Sequence, residues 1–87
     1  MALATESVEV RIEWCRQQKA KAAQPLEREG WHAEADGLRD ALLSVDHSNL
    51  YRDCAPAVFE RYAMGLQDGR ALMLVAVAEQ QHAMSYR

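Results

Sequence analysis

The sequence predicts an all-α protein: a three-helix chain with a long C-terminal helix, paired into a homodimeric helical bundle. Three observations carry that expectation. Alanine is abundant while Gly numbers 4 and Pro 2 in 87 residues, and alanine is the residue a helix accommodates at least cost. Stretches of Val, Ile and Thr with alternating polarity, the mark of strands, are absent. Finally, Ala71-Leu72-Met73-Leu74-Val75-Ala76-Val77-Ala78 is an unbroken apolar run inside a long helical stretch. Such a run coats a helix on every side, and a helix apolar all round is normally buried. In a small chain, either the other helices or a second copy must cover it.

Composition bounds the rest. With 49% hydrophobic and 26% charged residues, the chain is one globular domain rather than a disordered tail. A net charge of −3 is too weakly acidic for a DNA mimic and has the wrong sign for an unaided nucleic-acid binder. Cys15 and Cys54 form neither a disulfide framework nor a zinc-type pair, so free thiols are expected. The opening residues, Met1-Ala2-Leu3-Ala4-Thr5-Glu6, lack a basic region followed by an apolar one, so no signal peptide is expected. The run at 71–78 is shorter than the ~20 residues a membrane span requires and is flanked by Asp68, Arg70 and Glu79. The cytoplasm is the expected compartment, with no membrane partner.

The helices are expected over about 5–29, 31–45 and 54–84. Thr5 or Ser7 starts the first, with Glu6 and Glu9 suited to the positive end of its dipole. Val8, Ile12, Cys15, Ala22 and Leu26 share one face, while Leu3, Val10 and Trp14 point the other way as a candidate contact surface. Pro25 leaves two options. The helix ends near Ala23, or it kinks and continues to Glu29 with Gly30 as a left-handed cap. The second keeps Leu26 on the face of Val8 and Ile12 and is preferred.

The second helix places Trp31, Ala35, Leu38, Leu42 and Val45 on a heptad-like seam. Gly37 weakens it by roughly 0.5–1 kcal/mol relative to Ala. Glu34, Arg39 and Asp40 read as its solvated side, and Asp46-His47-Ser48-Asn49 as a loop. Leu50–Asp53 reads as a single turn, after which Pro56 suits the first turn of the third helix. That helix carries a main stripe of Val58, Phe59, Tyr62, Gly65, Leu66, Gly69, Leu72, Met73, Ala76, Val77 and Met84. Its other side holds Met64, Ala71, Val75 and Ala78, aligned with Asp68 and His82. The dimer or partner interface is therefore expected at Val10, Trp14, Met64, Ala71, Val75 and Ala78. Gly65 and Gly69, four apart, suit close helix packing or mark a kink.

Chemistry-bearing motifs are missing. His32, His47 and His82 have no second ligand at helical spacing, and neither HExxH nor CxxC occurs, so no metal or cofactor is expected. Glu27, Glu29, Glu34, Asp36 and Asp40 read as solvated carboxylates rather than acid/base groups in a cleft. Ser44 and Ser48 flank His47 without a nucleophile elbow. Gly65-Leu66-Gln67-Asp68-Gly69 does not match a phosphate-binding loop. Arg11, Arg16, Lys19 and Lys21 make one side of the first helix basic. A DNA-associated regulator using that side is the alternative to the main reading, opposed by Glu34, Asp36 and Asp40 on any recognition helix.

The stretches Trp31-His32-Ala33-Glu34-Ala35-Asp36-Gly37-Leu38-Arg39 and Tyr62-Ala63-Met64-Gly65-Leu66-Gln67-Asp68-Gly69 look like small all-helical accessory proteins of proteobacterial phages and prophages. The resemblance covers part of the chain and carries over no functional residue. It implies a protein that acts by binding a host protein. The expected function is thus a non-enzymatic protein-binding module, a small modulator or inhibitor of a larger bacterial protein.

Overall fold

The computed structural model describes residues 4–85, with the side chains of 4, 5, 76, 77 and 79–85 outside the description. The regular structure of the described residues is all helical, with no strand: α1 (Ala4–Lys21), α2 (Pro25–Leu43), α3 (Ser48–Tyr51) and α4 (Pro56–Ser85).

The first helix boundary differs from the expected one. α1 ends at Lys21, and Pro25 opens α2 instead of kinking a longer helix. The reason is local. A residue before proline is pushed out of the helical region, and Gln24 is extended at φ −93°, ψ 136°. Arg28 Nη1 then reaches back to the carbonyls of Ala22 (3.0 Å) and Ala23 (3.1 Å), satisfying acceptors that a helix end leaves open. Leu26 consequently leaves the face of Val8 and Ile12 and is 51% exposed. Gly30 lies buried inside α2 and caps nothing. The left-handed cap is Ser44 (φ 56°), closed by bonds from Ser44 N to Ala41 O and from Val45 N to Asp40 O. That is the Schellman arrangement on a residue other than glycine. Asp46 begins α3 by accepting the Ser48 N–H at 2.8 Å.

α1 runs antiparallel to α2: Lys19 meets His32, Cys15 meets Glu34, and Val8 and Ile12 pack with Leu38. α2 and α4 run parallel, since Gly30 faces Arg61, Gly37 faces Tyr62 to Leu66, and Gly69 faces Ala41. Residues 44–55 therefore return along the pair to bring α4 to the level of the start of α2. Two apolar clusters result. One joins Val8, Ile12, Cys15, Ala35 and Leu38, with Trp31, Leu42, Leu72 and Met73 against it. The other joins Ala33, Ala41, Val58, Tyr62 and Leu66, with Tyr51 beside it. Full burial of a side chain such as Val8 or Leu38 contributes about 1.5–3 kcal/mol.

The α2–α4 contact is backbone against backbone. A Cβ at Gly37 would lie 2.3 Å from Tyr62 O, and one at Gly65 would lie 2.1 Å from Glu34 O. Gly37, expected only to weaken its helix, is thus a point of closest approach. Gly65 and Gly69 lie in the middle of a continuous α4, Gly69 with room for only the Ala41 methyl opposite.

The carboxylates also depart from expectation. Glu34 is 2% and Asp40 7% exposed, so neither belongs to a solvated side. Each is buried because α4 carries its partner: Arg61 Nη1 donates to Glu34 Oε1 (3.1 Å), and the Tyr62 hydroxyl to Asp40 Oδ2 (2.5 Å). Arg39 stays exposed beside Asp36.

The single chain covers the apolar run on α4 only in part: Leu72 and Met73 pack against the first cluster. Leu74 is 70% and Val75 56% exposed. α4 is 30 residues long, roughly 45 Å, and α2 stops two residues past Ala41, the neighbour of Gly69. The later part of α4 overruns its main support. Val45, at the end of the expected α2 seam, is also exposed, whereas Ala76, Val77 and Met84 of the α4 stripe have side chains outside the description.

Gly65→Ala is expected to destabilise the fold by about 3 kcal/mol or more through overpacking, although alanine is the better helix former by about 1 kcal/mol. Gly30→Ala meets only the flexible Arg61 side chain, Cγ at 3.3 Å and Nε at 3.7 Å, and should stay within about 1 kcal/mol of wild type. Urea unfolding of both variants checks the order. A Gly65→Ala protein as stable as wild type would contradict the close approach.

Candidate functional site

A concave surface lies between α1 and α4, a groove of ≈ 570 Å³. Val10, Arg11 and Trp14 form its α1 wall with Ser7, and Asp68, Ala71, Leu72 and Val75 form its α4 wall. It exists because α1 leans mainly on α2, leaving the flank of α4 beside its glycine face open. Four of the expected interface residues, Val10, Trp14, Ala71 and Val75, are brought together here. Met64 and Ala78 are exposed on α4 and do not line the groove itself. Arg11, Asp68 and Leu72 are lining residues that the expected interface omits.

The Trp14 ring is held in place by a relay of contacts. It meets Trp31 in a T-shaped contact with ring centroids 5.2 Å apart at 88°, a favourable quadrupole arrangement. Arg11 lies 5.0 Å over Trp14, and Arg61 lies 4.2 Å over Trp31; both are cation–π distances. Arg61 is in turn fixed by Glu34, which also accepts the Cys15 thiol at 3.0 Å. The half-exposed Trp14 ring (40%) is therefore a rigid apolar surface anchored to the core, the kind of group that carries binding energy.

The remaining polar groups are tied in structural networks. Asp40 also pairs with His47 Nδ1 at 2.9 Å, and the His47 N–H donates to the Tyr62 oxygen at 2.7 Å. Tyr51 stacks on Tyr62 (4.4 Å, 13°) and donates to Asp36, which also pairs with Arg39 and His32. His47 and Asp40 form a pair without a nucleophile, since the Ser48 hydroxyl is held by Asp46. Burial, with the Glu34 carboxylate as hydrogen-bond acceptor and neighbouring charge, pushes the Cys15 thiol up to about 12. Burial and the Asp40 bond push the Tyr62 phenol up to about 12, and Tyr51 moves in the same direction. A thiol held protonated is a poor nucleophile and ligand. Among the described residues no group of three or more His, Cys, Asp or Glu is placed to hold a metal. Nor is any described helix long and apolar enough to cross a membrane.

Compared with family models, curated proteins and solved structures, the chain matches none.

The raised ionisations set a pH dependence. The unfolded Cys15 thiol and Tyr62 phenol ionise from about 9 and 10, the folded ones only near 12. Their contribution to stability is complete below pH 9 and is lost as pH rises from 9 to 12. Denaturant midpoints should fall across that window, and at pH 8 a thiol reagent should modify exposed Cys54 while leaving buried Cys15 untouched until unfolding. Equal rates at the two cysteines would contradict the described packing.

Proposed function

We propose that this protein is a non-enzymatic binding module of the cytoplasm that modulates or inhibits a larger bacterial protein, and that it works as a homodimer built on α4. The observation that supports this reading is the α1–α4 groove, where Val10, Trp14, Ala71 and Val75 present a preformed apolar surface. Fixed aromatic and aliphatic groups of this kind bind partners with little ordering cost. The tied state of the buried thiol and of Ser48 argues against nucleophilic chemistry. The likeness to small phage accessory proteins fits the same mode of action.

A DNA-associated regulator draws less support. Of the basic side of α1, Arg16 pairs with Glu13 at 3.5 Å, Lys19 contacts His32 at 3.3 Å, and Arg11 stacks on Trp14.

Val75→Glu tests the proposal, because Val75 is more than half exposed in the single chain and its replacement leaves the core alone. The expected outcome is a monomer by light scattering, with melting of the monomer fold retained. A tagged wild-type chain should retain one stoichiometric protein from bacterial lysate, and Val75→Glu should retain at least about tenfold less, the loss of a central apolar contact. Equal retention by both would remove this face from the interface. Duplex binding at low salt, lost on Arg16→Glu with Lys19→Glu, would favour the DNA reading instead.

A further inference from the structure

We propose that the groove between α1 and α4 is filled by α4 of a second copy of this chain, packed antiparallel about Ala71, with Arg11 of each copy paired to Asp68 of the other. The inference rests on the binding reading above and specifies the pairing of its homodimer.

Surface area is the first argument. A compact monomer of this mass exposes about 5,200 Å², whereas this chain, with a radius of gyration of 14.6 Å and a 52 Å long axis, exposes 6058 Å². The excess is close to the ~800 Å² that each partner buries in a standard interface. Among the described residues, Val10 (71%) on α1 and Leu74 (70%) and Val75 (56%) on α4 are large apolar side chains left exposed.

Shape is the second. Met64, Asp68, Ala71, Val75 and Ala78 follow one another at intervals of four, three, four and three along α4, the repeat of a helix–helix seam. All five are exposed or half-buried in the single chain. Antiparallel pairing about Ala71 sets the long Met64 opposite the small Ala78 of the second copy, twice by symmetry, and lets the helices approach at the two Ala71 methyls.

Charge is the third, and it selects a second copy over a foreign helix. A two-fold contact uses the same patch twice, so the patch must complement itself. Arg11 on one wall and Asp68 on the other supply opposite signs across an apolar strip. Asp68 is half-buried and has no hydrogen bond or ion pair among the described residues. Arg11 lies 5.0 Å over the Trp14 ring, a contact that uses none of its N–H donors on an acceptor, and these serve a carboxylate.

The test is a charge exchange between copies, read by sedimentation equilibrium. R11D and D68R should each weaken self-association on the order of 100-fold, since each sets two like-charged pairs against each other in the homodimer. An equimolar mixture of the two should recover dimers near wild-type affinity, because both cross-pairs are then of opposite sign; a pair within one chain would not be rescued by mixing. Dimeric wild type with unaffected variants, or variants that mixing fails to rescue, overturns the pairing while leaving the dimer standing. Monomeric wild type across the concentration range overturns the pairing and the homodimer together, and leaves the groove to a foreign protein or a ligand. If circular dichroism shows either variant unfolded, R11Q and D68N replace them. Each removes two symmetry-related pairs and should weaken association about tenfold, and unchanged affinity in both overturns the pairing.

Discussion

The closest approach of α2 and α4, at Gly37 and Gly65, is the constraint on which the other features depend. Two helices carrying side chains at their contact pack 8–10 Å apart, and a Cβ at either of these positions would sit within 2.3 Å of the opposing backbone. Gly30, Ala33, Gly37 and Ala41 recur at intervals of three, four and four on α2 and form the trough into which α4 settles. The helix-propensity cost of glycine is accepted there because the alternative is a gap between the helices.

That proximity explains the buried carboxylates. Glu34 and Asp40 flank Gly37 at three positions on either side, so they enter the interior when α4 draws close. A buried charge without a partner is strongly destabilising, and α4 answers with Arg61 and Tyr62 in consecutive positions. The register of the parallel pair is thereby specified twice, by steric fit at the glycines and by hydrogen bonding beside them. Arg61 then carries the constraint outward, since its contact with Trp31 positions Trp14 on the groove wall.

Much of the helical content was legible from the sequence. The start at Pro56 follows from proline's place in a first turn, and the face of Val8, Ile12 and Cys15 and the seam of Ala35 and Leu38 follow from periodicity. Pro25 departs from expectation because the local bias of Gln24 prevails over keeping Leu26 on the core face. The burial of Glu34 and Asp40 is hidden in the sequence because their partners lie 27 and 22 residues further on, beyond any helical spacing. A signal did exist in the small-residue seam of α2, which matches the glycine pair on α4. The groove was legible as two separate faces, Val10 with Trp14 and Ala71 with Val75. That they form one surface depends on α1 lying antiparallel beside α4, a matter of topology rather than of local pattern.

The overrun of α4 divides one continuous helix into halves of unequal security. Around Tyr62 to Gly69 the α4 backbone lies against α2, whereas at Ala71 and Val75 the element across the groove is α1. Local opening free energies grade in this way along an element whose packing thins. Helix α4 thus joins a closely packed root to a stretch that leaves Leu74 and Val75 exposed, and anything docking along the groove would slow amide exchange there by adding the cover that α2 does not supply.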